Sequence, residues 1–264
     1  MAAMLQATNV NVRIGSRAIV NAVDFEALPG QITAIVGPNG SGKSTLLKAL
    51  CNELPFTGNV TINGHNLKSL LPREAAAMRA VLPQTSRLTF PFTVHEVVRM
   101  GLTAGRAGTA TSELPARALE RVDLANFGSR FYGDLSGGEQ QRVQLARVLC
   151  QVWEPVLDGK PRYLLLDEPV SSLDIRHQLL VMDIARAFAA AGGGVVAILH
   201  DLNLTALYAD RVLALRAGRV ATFGPPADVL TSDLLLDVFG CKLRTVDAGG
   251  DRFFVPPGRR ELIP

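Results

Sequence analysis

The chain opens on alternating apolar and polar positions. Alternation runs through residues 7–14 and again through 18–25, which predicts two strands with one buried face each. A Pro29-Gly30 turn leads into residues 31–36. Here Ile32-Thr33-Ala34-Ile35-Val36 is almost continuously apolar, the pattern of a strand buried on both faces. A glycine-rich turn and a helix over 44–52 follow, then a short strand pair around the Asn63-Gly64 turn. The middle changes period. Residues 93–101, 112–122 and 138–150 show helical spacing, and the Gly-, Ala- and Thr-rich stretch 103–111 between them reads as a mobile loop. Strands and helices then alternate: a strand at 163–167, a helix at 175–191, a Gly192-Gly193-Gly194 break, and strands at 195–199, 211–215 and 219–223. The last forty residues carry short helices and a proline-rich end. This order predicts an α/β core with a mostly parallel sheet, an N-terminal antiparallel β subdomain and an inserted helical lobe. The expected division is 1–84 with 162–264 for the core and 85–161 for the lobe. No internal repeat is visible.

Composition narrows the class. Of 264 residues 48% are hydrophobic and 19% charged, which is too apolar for a disordered chain. The longest apolar runs, such as 195–199, reach about five residues where a membrane-crossing helix needs about 20, so no span is expected. The net charge of +3 comes from scattered arginines without a basic block, which argues against nucleic acid as a partner. The low charged fraction suggests a surface covered by another protein. Cys51, Cys150 and Cys241 form no C-x-x-C pair, so neither a zinc site nor a disulfide framework is indicated, and a reducing compartment fits. Residues 1–10 lack the basic and apolar segments of a signal peptide.

Gly37-Pro38-Asn39-Gly40-Ser41-Gly42-Lys43-Ser44 fits G-x-x-x-x-G-K-[ST], between an apolar strand and a helix that continues with Thr45. Its glycines allow backbone N–H groups to wrap phosphate oxygens, and the helix adds its positive end. Lys43 would reach the β- and γ-phosphates of a nucleotide, and Ser44 would ligate Mg²⁺. A second strand, 163–166, ends in Asp167-Glu168, where ligands of an open α/β sheet bind. Asp167 is expected to hold the Mg²⁺, and Glu168 to polarise an attacking water. The alternative is an exposed acidic turn before Pro169.

Leu135-Ser136-Gly137-Gly138-Glu139-Gln140-Gln141-Arg142 adds a second anion site, with Ser136 capping a helix whose first amides are free. This segment resembles the signature motif of ABC-type ATPases. The resemblance extends over nearly the whole chain. Gln84 in Val81-Leu82-Pro83-Gln84 looks like the Q-loop glutamine. Ser171-Ser172-Leu173-Asp174 looks like the D-loop. His200, after the strand 195–199, looks like the switch histidine. The resemblance implies a RecA-like phosphate-loop core that binds ATP and Mg²⁺, with Gln84 beside Ser44 and Asp167 at the metal and Glu168, His200 and Gln84 as catalytic residues. It implies a head-to-tail homodimer in which Ser136, Gly137, Gly138 and Glu139 face the partner's ATP. His65, His95 and His177 receive no role. One departure concerns the base: Ile14 stands near the position where many members carry an adenine-stacking aromatic. Val170 stands where Thr is common, without evident chemical consequence.

A single phosphate loop and a single signature imply one nucleotide-binding domain, and the resemblance to ABC-type ATPases implies that it serves two separate membrane permease subunits, at the cytoplasmic face of a bacterial inner membrane. A soluble ABC ATPase without a permease is the less favoured class. Residues 80–84, 90–94, 199–203 and 224–231 resemble importers of iron chelates, haem and cobalamin. Within that group residues 137–149 and the long linker 151–161 are most similar to haem importers, which implies a periplasmic haem-binding protein as an indirect partner. Ferric siderophore and cobalamin remain alternatives. Phe90, Phe92 and Val94 are expected either to floor the permease groove or to fill the lobe's own core.

Overall fold

The fold is described from a computed structural model covering residues 4–85, 88, 90–104, 112–240, 242–249 and 251–255. Strands β1 (Leu5–Ile14) and β2 (Arg17–Ala27) pair antiparallel from Leu5↔Ala27 to Ile14↔Arg17, as their alternation requires. After the buried β3 (Ile32–Val36) and α1 (Lys43–Leu50), strand β4 (Thr57–Ile62) joins the other edge of β1. The Asn63-Gly64 turn, both residues at positive φ, brings β5 (His65–Asn66) back onto β4. The small sheet thus runs β2-β1-β4-β5.

A short helix α2 (Pro72–Met78) leads into β6 (Arg79–Leu82). The helices α3 (Val94–Ala104), α4 (Leu114–Arg121) and α5 (Gly137–Gln151) follow. Gly101 lets α3 lie hard against α5: a Cβ there would meet the Arg147 carbonyl oxygen at 2.1 Å. The stretch 151–161, expected as linker, instead folds back as a hairpin, β7 (Val156–Leu157) with β8 (Lys160–Pro161). Its turn is Asp158-Gly159, both at positive φ, a two-residue hairpin signal that the linker reading passed over.

The second half runs β9 (Tyr163–Asp167), α6 (Ile175–Ala190), β10 (Gly194–Ile198), α7 (Leu202–Tyr208), β11 (Arg211–Arg216) and β12 (Arg219–Gly224). The short helices α8 (Pro226–Val229) and α9 (Ser232–Phe239) come next, and then an antiparallel hairpin, β13 (Arg244–Ala248) with β14 (Asp251–Val255), where short helices and a proline-rich end were expected.

The large sheet has the order β12-β11-β3-β10-β9-β6, parallel except for β12 at its edge. Successive residues of its inner strands enter two different cores, which explains their unbroken apolar runs. Ile32, Leu164, Leu166, Val195 and Ala197 face a cluster shared with the helices between 94 and 152. Ile35, Tyr163, Leu165, Val196 and Ile198 face α1 and the small sheet. Val94 is fully buried in the first cluster and so is core rather than groove floor, Phe92 packs partly against it, and Phe90 is 71% exposed. Cys51 and Cys150 are buried free thiols, each pushed up to about 12 by burial, whereas Cys241 lies outside the described residues. Thr103 and Ala104 of the expected loop are the last two residues of α3, and its remainder, 105–111, also lies outside the described residues. Among the described residues no helix is long and apolar enough to cross a membrane.

Parallel strands deliver their C-terminal ends to one edge of the sheet. In register, Ile198 lies opposite both Ile35 and Asp167, and Leu82 opposite Leu166. Gly37, Gln84, Glu168 and His200 each follow one of these ends within two residues, so sheet topology alone gathers them.

Candidate nucleotide site

The turn between β3 and α1 needs glycine at two places. Gly37 sits at φ +150°, and a Cβ there would meet the Leu215 carbonyl oxygen at 2.2 Å. Gly42, at φ +102°, is the N-cap residue of α1. It has no side chain to cap with, so the first amides of α1 are left for an anion. Lys43 is 6% exposed and donates to the carbonyl oxygens of Gly37 at 2.8 Å and Pro38 at 3.1 Å. Burial pushes its ammonium pKa down, while the Glu168 and Asp167 carboxylates oppose that shift.

Ser44 Oγ donates to Asp167 Oδ1 at 3.0 Å. Asp167 is buried, and burial raises its carboxyl pKa against the effect of the Ser44 hydrogen bond. A hydroxyl and a carboxylate at this separation suit Mg²⁺, which keeps water and phosphate oxygens in most of its positions. A protein-only metal cage is a different matter: among the described residues no cluster of three His, Cys, Asp or Glu could hold an ion.

Glu168 follows at φ +53°, an uncommon backbone for a non-glycine residue. Gln84 Nε2 donates to its Oε2 at 2.9 Å, and His200 Nε2 lies 2.7 Å from its Oε1. Asp201 caps α7 through the amides of Asn203 and Leu204, which holds the chain just after His200. A cavity of about 300 Å³ opens above the loop, lined in part by Ile14, Lys43, Ser44, Thr45 and Glu168. A larger one, about 490 Å³, lies beside α2 and the β7–β8 hairpin and contains none of these groups, so chemistry rather than size marks the site.

The structure therefore brings Gly37 to Thr45, Gln84, Asp167, Glu168 and His200 together. It does not bring the signature residues there. Among the described residues lining the cavity, none comes from 136–139 and none is Asp174. Ser136 caps α5, accepting from the Glu139 amide at 3.4 Å while its own amide and hydroxyl donate to Glu139 Oε2 at 2.8 and 2.7 Å. Those two bonds hold the Glu139 carboxyl below its usual range. Around Gly137 nothing approaches within 4 Å of where a Cβ would stand, so the start of α5 is open. Asp174 caps α6, accepting from the His177 amide at 2.9 Å and pairing with its Nδ1 at 2.8 Å. Three participants were missed. Arg17 and Ile19 line the cavity, and only their closeness to Ile14 along the chain hinted at it. Gln141 donates to the Glu168 carbonyl oxygen at 3.0 Å, and nothing in the sequence distinguishes it from Gln140 beside it.

Residues 20–171 match the ABC transporter family. The chain belongs to the ABC transporter family. This ABC transporter subunit is an ATP hydrolase. It is 62% identical over 258 residues to the "Hemin import ATP-binding protein HmuV" of Mesorhizobium japonicum, covering 96% of this chain and 98% of that one. It is 56% identical over 257 residues to the protein of the same description in Rhizobium meliloti, covering 96% and 98%. Among solved structures, an inward-facing ABC transporter of metal-chelate type superposes with TM-score 0.79 at 24% identity, over 98% of this chain and 99% of that one, which shows the ABC fold.

Proposed function

We propose that this chain is the ATP-hydrolysing subunit that powers haem (hemin) import across the bacterial inner membrane. The observation that carries the reading is its high identity, over almost its full length, to proteins described as hemin import ATP-binding proteins. The phosphate-loop constellation supports the same role. Two copies would pair head to tail beneath two permease subunits, at the cytoplasmic face, and a periplasmic haem-binding protein would supply the cargo from the far side. Residues 1–84 and 162–264 form the nucleotide core in this reading, and 85–161 form a lobe that transmits motion. The exposed Phe90, six residues after Gln84 along the chain, suits a permease contact.

Lys43 and the free amides at the start of α1 would bind the β- and γ-phosphates. Ser44, Asp167 and Gln84 would hold Mg²⁺, which when bound neutralises phosphate charge. Glu168 would accept a proton from the attacking water, and His200 would both orient Glu168 and contact the γ-phosphate. Ser136, Gly137 and Gly138 of the partner subunit would complete the anion site, since one chain's cavity contains none of its own.

The test is ATPase activity of this chain with its co-purifying permease in liposomes. Binding protein is supplied empty, haem-loaded, or loaded with ferric siderophore or cobalamin. Stimulation by the haem-loaded form alone is expected. Stimulation by another cargo would move the substrate and keep the importer reading, and indifference to every cargo would overturn the importer reading itself.

A further inference from the structure

The turn from Glu168 to Leu173 is clamped by side-chain amides from two helices. From α5, Gln141 Nε2 donates to the Glu168 carbonyl oxygen at 3.0 Å, and Ser171 adds its hydroxyl at 3.2 Å. From α6, Gln178 Nε2 donates to the carbonyl oxygens of Leu173 at 3.0 Å and Val170 at 3.3 Å. Gly138 rests on the same turn, where a Cβ would stand 3.1 Å from the Ser172 carbonyl oxygen.

Glu168 has a left-handed backbone at φ +53°. Such a conformation persists where the surroundings over-determine it, and the donors on its carbonyl do so here. The backbone sets where the carboxylate points. Gln141 lies five residues after Ser136, in the helix that begins at Gly137. It is the one side chain of α5 with a hydrogen bond to Glu168 among the described residues. Its Oε1 is buried and has no partner there, so the amide acts through its donor end.

We propose that Gln141 is a positioning residue through which the signature end of α5 sets the backbone of Glu168 in the same chain, coupling the two ATP sites of the dimer. The inference rests on the head-to-tail pairing proposed above. ATP held by one chain's partner would contact that chain's Ser136–Gly138. Gln141 passes the resulting displacement of α5 to that chain's own Glu168, at the other site. Gln178 grips the same turn from a helix that does not carry Ser136–Gly138 and is the internal control.

The experiment compares Gln141→Met and Gln178→Met with wild type in the full-length chain. Met keeps length and volume and removes the N–H donor. Hydrolysis is followed against ATP concentration for kcat, KM and Hill coefficient, with ATP affinity and Tm measured in parallel. Gln141→Met is expected to lower kcat roughly 10–100-fold, as small misplacement of a reacting group does. ATP affinity should stay within about twofold, and the Hill coefficient should fall from above 1 to about 1 as coupling is lost. Gln178→Met should shift Tm by a similar amount and keep the Hill coefficient. If Gln141→Met fails to fold, Gln141→Asn carries the same comparison. Wild-type kcat and Hill coefficient in the Gln141 variant would overturn the proposal. So would identical behaviour of the two variants, or a wild-type Hill coefficient of about 1. Sizing of Glu168→Gln with ATP separates the two readings. Absence of a dimer refutes the pairing, whereas a dimer with an unaffected Gln141 variant retires Gln141 alone.

Discussion

His200 Nε2 lies 2.7 Å from Glu168 Oε1. The contact follows from sheet register. Asp167 and Ile198 are opposite one another on adjacent parallel strands, which run about 4.8 Å apart. Glu168 is one residue beyond that pair and His200 two. Gln84 takes the other carboxylate oxygen from the end of a third strand. Three parallel strands thus converge on one carboxylate whose side chain is 16% exposed. A group held on both oxygens is oriented before substrate arrives, the condition for a general base to act without reorganisation.

Glu168→Gln keeps the shape and removes the proton acceptor. ATP hydrolysis should fall by about 10²–10⁴, the usual contribution of a positioned acid or base, while ATP binding is retained and an ATP-loaded dimer accumulates. Single-turnover hydrolysis and sizing with ATP check this together. Turnover at the wild-type rate would remove Glu168 from the chemistry.

The large sheet, the phosphate loop and the strand-end carboxylates were legible because each rests on local pattern. Residues 32–36 read as a doubly buried strand and 163–167 as an apolar one, and both cores claim residues of each. Ser136 read as a helix cap and is one. What was not legible depends on tertiary context. The helices at 72–78 and 202–208 are too short for their period to stand out. Gln141 and Gln140 are alike as sequence. Yet Gln140 bonds to the carbonyls of Tyr132 and Leu135, and Gln141 to that of Glu168, because helix rotation points them to different neighbours.

Lys43→Ala should weaken ATP binding roughly 10–100-fold, the range for losing charge-assisted hydrogen bonds to phosphate. Its ammonium now bonds to the Gly37 and Pro38 carbonyls, so the loop itself should also loosen. Equilibrium dialysis with ATP reads the first effect and hydrogen exchange at 37–42 the second. Unchanged affinity would contradict the phosphate-loop assignment.

Ile14 is 56% exposed at the rim of the cavity, where its aliphatic side chain could touch a bound purine but not stack on it. Ile14→Tyr should tighten ATP about three- to tenfold and leave kcat nearly constant, since stacking on the base acts equally in ground and transition states. A parallel titration with GTP shows whether the gain follows the ring system in general or adenine alone. No change in either affinity would place the base elsewhere.

Asp167 sets stability against function. Burial raises its carboxyl pKa, so the folded protein favours the neutral form. The sign follows from linkage. The unfolded chain releases this proton in the ordinary carboxylate range and the native state only at higher pH. The stability it contributes is complete at acid pH and is lost as pH rises through the raised folded value. Above that raised value the nucleotide-free protein holds an ionised, buried carboxylate at a cost. Asp167→Asn removes that charge, and its amide oxygen can still accept from Ser44 Oγ, which now bonds to Oδ1 at 3.0 Å. The nucleotide-free variant should melt higher than wild type at pH 7–8. That advantage should shrink as pH falls through the raised folded value, below which wild type is neutral too. Mg²⁺-dependent tightening of ATP and hydrolysis should both be lost. Thermal melts across pH, with and without Mg²⁺-ATP, read both halves. A variant that melts lower than wild type at neutral pH would show that the charge is stabilised rather than tolerated in the empty site.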